Sequence, residues 1–182
     1  MTDLRVLKTR RAIQDAFVDL VLSEGFERIT VSELAKRAMI NRQTFYKHYL
    51  DKYDLAEKMG RQILTQVTEI TRQRINLFHQ DLTIIQIVDR LRPYLKELVN
   101  KYRRPILALR SVHLNNFDLS QQVSDQMKRA ANQLLGNSAT PFELAVIGGV
   151  VSSVFNYLME YNDLPTDEEI AESLTRIKEF IN

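Results

Sequence analysis

The stretch Ala38-Met39-Ile40-Asn41-Arg42-Gln43-Thr44-Phe45-Tyr46-Lys47-His48-Tyr49-Leu50-Asp51-Lys52 decides how the chain is read. Asn41 is a helix-opening residue, because its side-chain oxygen can accept from the N–H groups left free in a first turn. The pattern predicts a short helix from Asn41 through His48. Just upstream, Thr30-Val31-Ser32-Glu33 has the spacing of a capping box, with the Thr hydroxyl toward the Glu N–H and the Glu carboxylate reaching back. It opens another short helix, carrying Val31, Leu34, Ala35 and Ala38. Two short helices about three residues apart, the second opened by Asn, form a helix-turn-helix layout.

Within the second helix Phe45 is the apolar anchor, with Leu34, Ala35, Ile40 and Tyr49 as its neighbours. That leaves Arg42, Gln43, Thr44, Tyr46, Lys47 and His48 outward, a set able to donate and accept at base edges and phosphates. Arg42 and Gln43 stand nearest the helix start and suit guanine and adenine edges. Tyr46, His48 and Lys52 suit phosphates, with Lys52 at a helix start whose N–H groups also favour an anion. Thr30, Ser32, and Lys8 and Arg10 by the start of helix one are further backbone-contact candidates. A polar helix surface without a ligand explains any one of these residues alone; the ordered set in this frame is harder to explain that way.

Working outward, Ile13, Ala16, Phe17, Leu20 and Val21 form one apolar stripe of a first helix over about Val6 to Ser23, stopped by Gly25. Asp51-Lys52-Tyr53-Asp54 starts a long fourth helix expected to reach Phe78. Leu82 to Tyr102 reads as helix with Pro93 as a kink or break, and Pro105 as the first turn of another. A helix from about Asp118 to Leu135 follows. Thr140-Pro141-Phe142-Glu143 combines an N-cap, a first-position Pro and a capping Glu, and opens a helix to about Tyr161 that is apolar nearly all round. Thr166 and Glu169 open the last helix. The fold expected is all-α, about nine helices, with a helix-turn-helix domain over 1–51 and a helical domain over 52–182.

The quoted stretch resembles the TetR family of bacterial regulators. The resemblance runs through Thr30, Leu34-Ala35, Ala38, Ile40, Thr44, Phe45-Tyr46, His48-Tyr49, Lys52 and Leu55, about the first third of the chain. Phe142 to Ile181 looks like the C-terminal helix pair of a regulator type common in Firmicutes. One departure is Met39, where the family commonly has Gly; a non-Gly residue with positive φ costs about 1 kcal/mol. The resemblance implies a DNA-binding transcriptional regulator, most often a repressor released by a small-molecule effector. It also implies a homodimer on a palindromic operator. A coactivator of the same fold that has lost direct DNA contact is the alternative, and the retained Arg42, Thr44, Tyr46, Lys47, His48 and Lys52 speak against it.

The dimer is expected through helices of about 141–161 and 166–181, with Gly148, Gly149, Ser152, Phe155, Leu174 and Ile177 at the interface. An apolar helix must be buried on several faces, and small residues allow a second helix to approach. Tyr94, Tyr102, His113, Phe117, Met127 and Tyr157 are the residues that would line an effector cavity, although core packing accounts for each equally.

Composition narrows the classes. Net charge is +2 over 182 residues, but basic residues outnumber acidic ones between Arg5 and Arg61, while Asp163 to Asn182 is acid-rich. There is no cysteine, which excludes disulfides and thiolate metal sites. His79 and His113 have no partners at metal-ligand spacing, so no metal or other cofactor is expected. No Gly-rich phosphate loop or nucleophile constellation suggests an enzyme. No signal-like start and no apolar run near membrane-spanning length is evident, so the reading is cytoplasmic with no membrane partner.

Overall fold

The computed structural model describes residues 3–74, 84–112, 118–134 and 138–181. Among these, eight α-helices and no strand occur: α1 (Leu4–Glu24), α2 (Val31–Arg37), α3 (Arg42–Tyr46), α4 (Lys52–Arg74), α5 (Ile84–Arg110), α6 (Leu119–Leu134), α7 (Pro141–Tyr161) and α8 (Asp167–Ile181). The chain divides into two compact units, Met1–Thr65 with Arg104–Gln122, and Gln66–Arg103 with Val123–Asn182.

In the first unit, Ile13, Phe17 and Val21 of α1 are buried, and beside them Phe26, Ile29, Leu34, Ala35, Phe45, Tyr49, Leu55, Ala56 and Met59. Phe26 joins two helices, meeting Phe17 edge-on at 6.1 Å and Tyr53 at 5.1 Å. Gly25 ends α1 at φ 88, a conformation that only glycine adopts without strain. The capping box opening α2 is complete: Thr30 N–H donates to Glu33 Oε2 at 2.8 Å, and Glu33 N–H to Thr30 Oγ1 at 3.3 Å.

The turn between α2 and α3 is a Schellman motif. Ile40 N–H reaches Ala35 O at 3.0 Å, and Met39 N–H reaches Lys36 O at 3.1 Å. This geometry requires a left-handed residue, and Met39 supplies it at φ 53. The missing Gly therefore leaves the turn intact and adds strain.

Of the expectations about prolines, the break at Pro93 and the helix start at Pro105 are not met. Pro93 does not break its helix, and Pro105 does not begin one; both lie inside the continuous α5, which is why eight helices appear rather than about nine. A helix-interior Pro costs about 3 kcal/mol. Against that stands a long buried stripe on the same helix, Leu98, Val99, Ile106 and Leu109, with each such side chain contributing about 1.5–3 kcal/mol when fully buried. The expected end of α4 at Phe78 and the stop after Leu135 lie outside the described residues.

In the second unit, basic side chains of α5 hold the turn between α7 and α8. Arg103 donates to Met159 O at 2.9 Å and Glu160 O at 3.2 Å, where the end of α7 leaves carbonyls unpaired. Arg92 reaches Pro165 O and Asp167, and Lys96 pairs with Asp163 at 3.2 Å. The Leu164 N–H, ahead of Lys96, keeps the Asp163 carboxyl below its ordinary range. The expected capping boxes at Thr140 and Thr166 are both present. One further expectation is corrected: α7, at 21 residues, is long and apolar enough to cross a bilayer by length and composition alone.

Met39 is 92% exposed and makes no packing contribution. Met39→Gly should therefore keep the fold and raise unfolding free energy by up to about 1 kcal/mol, the left-handed penalty less the entropy glycine adds to the unfolded chain. A loss of stability in urea titration would contradict the strained-turn account.

Candidate nucleic-acid interface

The exposed end of the first unit is organised by α3, a helix of five residues. Asn41 opens it by accepting from Gln43 N–H at 2.8 Å. Phe45 is fully buried and Tyr49 nearly so, which fixes the rotation of so short a helix. Arg42, Gln43, Tyr46 and Lys47 consequently face solvent, while Thr44 and His48 are half-buried. The helix proper ends at Tyr46; Lys47 and His48, expected within it, form the turn that follows.

Arg42 lies along the Tyr46 ring, 5.4 Å from its centroid, and donates through Nη2 to Tyr46 Oη at 3.0 Å. Tyr46 in turn stands edge-on against Phe45 at 5.7 Å. The guanidinium is thus pre-positioned above the buried anchor. Around His48 the charges are positive: burial first, then Arg10 and Lys47, push its imidazole below the ordinary histidine value. The positive charge of Arg10, from α1, is therefore felt at the end of α3, which sequence spacing alone could not show. Tyr49 is pushed up, chiefly by burial, and its hydroxyl accepts from Gln14 at 3.4 Å.

Two expected contact residues are occupied elsewhere. The Thr30 hydroxyl accepts from Glu33 N–H and donates to Glu33 Oε2, so it serves as a cap. The Lys52 ammonium turns inward to three backbone carbonyls, those of Phe26, Glu27 and Ile29. Ser32 and Lys8 are exposed. The structure also shows a junction that sequence reasoning missed. Asp19 pairs with Arg37 of α2 and with Arg104 of α5, each at 2.8 Å. The Arg37 hydrogen bond, ahead of Arg104, holds the Asp19 carboxyl below its usual range. Partners 18 and 85 residues away leave no local sequence signal.

Of the expected effector-lining residues, Tyr94, Tyr102 and Met127 are half-buried, and His113 and Phe117 lie outside the described residues. Tyr157 is on the exposed side of α7, stacked on Tyr161 at 4.5 Å, and not in an interior. Of the expected interface residues, Gly149 is open and exposed, Ser152 and Phe155 are half-buried, and Leu174 and Ile177 are exposed. Gly148 is instead buried within its own chain: a Cβ there would meet the Lys128 side chain at 3.3 Å. The larger signal was apolar. Phe142, Val146, Val150, Val154, Tyr157 and Tyr161 lie along one face of α7, each 36% to 77% exposed.

Residues 13–59 match the family described as bacterial regulatory proteins, tetR family, and this segment contains the capping box, the turn, α3 and the start of α4. Residues 13–59 thus carry a TetR-family helix-turn-helix module. The chain is 40% identical over 58 residues to YxbF of Bacillus subtilis (strain 168), an uncharacterized HTH-type transcriptional regulator; the match takes in 31% of this chain and 15% of that protein's length. Among solved structures it is similar to NalD, the secondary repressor of the MexAB-OprM multidrug efflux pump in Pseudomonas aeruginosa. There the identity is 18%, the coverage 96% of this chain and 95% of that one, and the TM-score 0.62. It is also similar to SmeT in its triclosan complex, at 17% identity, 84% and 78% coverage and a TM-score of 0.56. At these identities the structures speak for the fold, an N-terminal helix-turn-helix followed by a helical domain.

The lowered His48 value in this TetR-family module makes a signed prediction. The unfolded chain takes up that proton more readily than the folded one, so stability is present above the ordinary value of about 6.5 and is lost as pH falls toward the lowered one. His48→Gln should flatten this part of the profile in urea unfolding between about pH 8 and pH 5. An unchanged profile would contradict the crowded, cationic setting assigned to His48.

Proposed function

We propose that this chain is a sequence-specific DNA-binding transcriptional regulator that works as a homodimer, a repressor released by a small-molecule effector. The observation that carries the reading is the outward face of α3, with Arg42, Gln43, Tyr46 and Lys47 in solvent above a fully buried Phe45. A helix of this kind fits the major groove, with side chains near its N-terminus at base edges. Arg42 and Gln43 read bases; Tyr46, Lys47, His48 and Arg10 hold phosphates, with Thr44, Ser32 and Lys8 as further contacts. Residues 1–51 form the reading domain, and 52–182 the effector-binding and dimerisation domain. Acting on DNA places the protein in the bacterial cytoplasm.

The dimer rests on α7 and α8. The exposed apolar stripe of α7, with Leu174 and Ile177 exposed on α8, suits a second copy forming a four-helix bundle. Lipid fits it less well: Lys128 lies across the middle of α7 at Gly148, Arg103 sits at its end, and α8 is rich in charge. Charges at such positions are costly in a bilayer. Support for repression and for an effector comes from the fold shared with a pump repressor and with a triclosan-bound relative.

Two experiments test the parts separately. Val150→Glu should convert a dimer to a monomer in sedimentation and abolish tight operator binding; a variant that stays dimeric contradicts the α7 interface. In operator titrations, Arg42→Ala should relax preference at one position per half-site, losing about 1–3 kcal/mol of discrimination, while Tyr46→Ala weakens all sequences alike by about 1 kcal/mol or more. If Arg42→Ala weakened every sequence equally, it would not be a base reader.

A further inference from the structure

We infer that Lys52 is a positioning residue of the DNA-reading module, a strap that sets α2 and α3 against α4, and that it does not bind phosphate. The inference rests on the reading of α3 given above. An ammonium has three N–H donors. In Lys52 they converge on Phe26 O at 2.9 Å, Glu27 O at 3.0 Å and Ile29 O at 3.1 Å. The nitrogen also lies 4.7 Å from the Phe26 ring centroid and 5.5 Å from that of Tyr53.

All three carbonyls belong to the irregular segment between α1 and α2, which has no helical ladder of its own to satisfy them. Ile29 is buried next to Thr30, the cap of α2, and the Schellman turn then carries the chain into α3. The first residue of α4 therefore fixes where α2 begins. A phosphate at Lys52 would have to draw at least one N–H from a carbonyl and leave that carbonyl unpaired. Shape makes the site selective too: a planar guanidinium suits phosphate as well as an ammonium does, but it cannot enter a three-carbonyl cage in the same way.

The first test needs no DNA. Reductive methylation of the folded protein with formaldehyde and cyanoborohydride, read by peptide mass spectrometry, should leave Lys52 unmodified while the exposed Lys8, Lys36 and Lys47 react. Methylation of Lys52 at the rate of Lys47 would overturn the strap. The second test measures operator affinity against salt for Lys52→Gln and Lys52→Arg. The strap predicts that both variants weaken binding to a similar extent with the slope of log K on log salt unchanged. A phosphate contact predicts a slope smaller by about 0.9 for Lys52→Gln and wild-type affinity for Lys52→Arg, and either result would overturn the inference. If no duplex binds at all, the proposed function falls, while the methylation result still decides whether the strap exists.

Discussion

Burial of Phe45 is the constraint on which the rest of the interface depends. A five-residue helix has too few internal hydrogen bonds to persist by itself, because nucleating a turn is unfavourable and only propagation repays it. α3 exists because Phe45 is fully withdrawn from water among aromatic and aliphatic neighbours, with Tyr49 at 5.6 Å. Such a side chain is worth about 1.5–3 kcal/mol by area and costs about 3–5 kcal/mol to truncate. Once its direction is fixed inward, the outward direction of Arg42, Gln43, Tyr46 and Lys47 follows from helix geometry.

Everything near that anchor limits its freedom to rotate or slide. The Thr30–Glu33 box sets the start of α2, the Schellman turn at Met39 sets its end, and Asn41 sets the start of α3. Asp54 closes the other side, accepting from Leu50 N–H and pairing with Lys58 at 2.8 Å. The caps at Thr30 and Asn41 are each worth roughly 1 kcal/mol. The combined effect of these devices is that one conformation of a short exposed helix is strongly preferred, as binding with little ordering cost requires.

Much of this was legible in the sequence because it is local. Caps act over three residues and helix stripes over three or four, so the boxes at Thr30, Thr140 and Thr166 and the inward Phe45 could be read directly. What escaped was long-range. Lys52 looks like a free cation at a helix start until the carbonyls of Phe26, Glu27 and Ile29 fold around it. Asp19 looks like an ordinary surface acid until Arg37 and Arg104 arrive. Pro93 read as a kink or break and Pro105 as the first turn of another helix because local cost was weighed without the burial of Leu98, Ile106 and Leu109 that offsets it. On α7 the small residues drew the eye, whereas Gly148 serves Lys128 and the exposed surface is made by valines and aromatics.

The central claim is that two copies of α3, held by two buried phenylalanines, enter one duplex. Selection of binding sites by the purified protein from random duplexes tests it most directly. Two inverted half-sites spaced by about one helical turn, 10–10.5 base pairs centre to centre, or a multiple of it, are the predicted result. Recovery of no enriched sequence, or of a single site without two-fold symmetry, would contradict it.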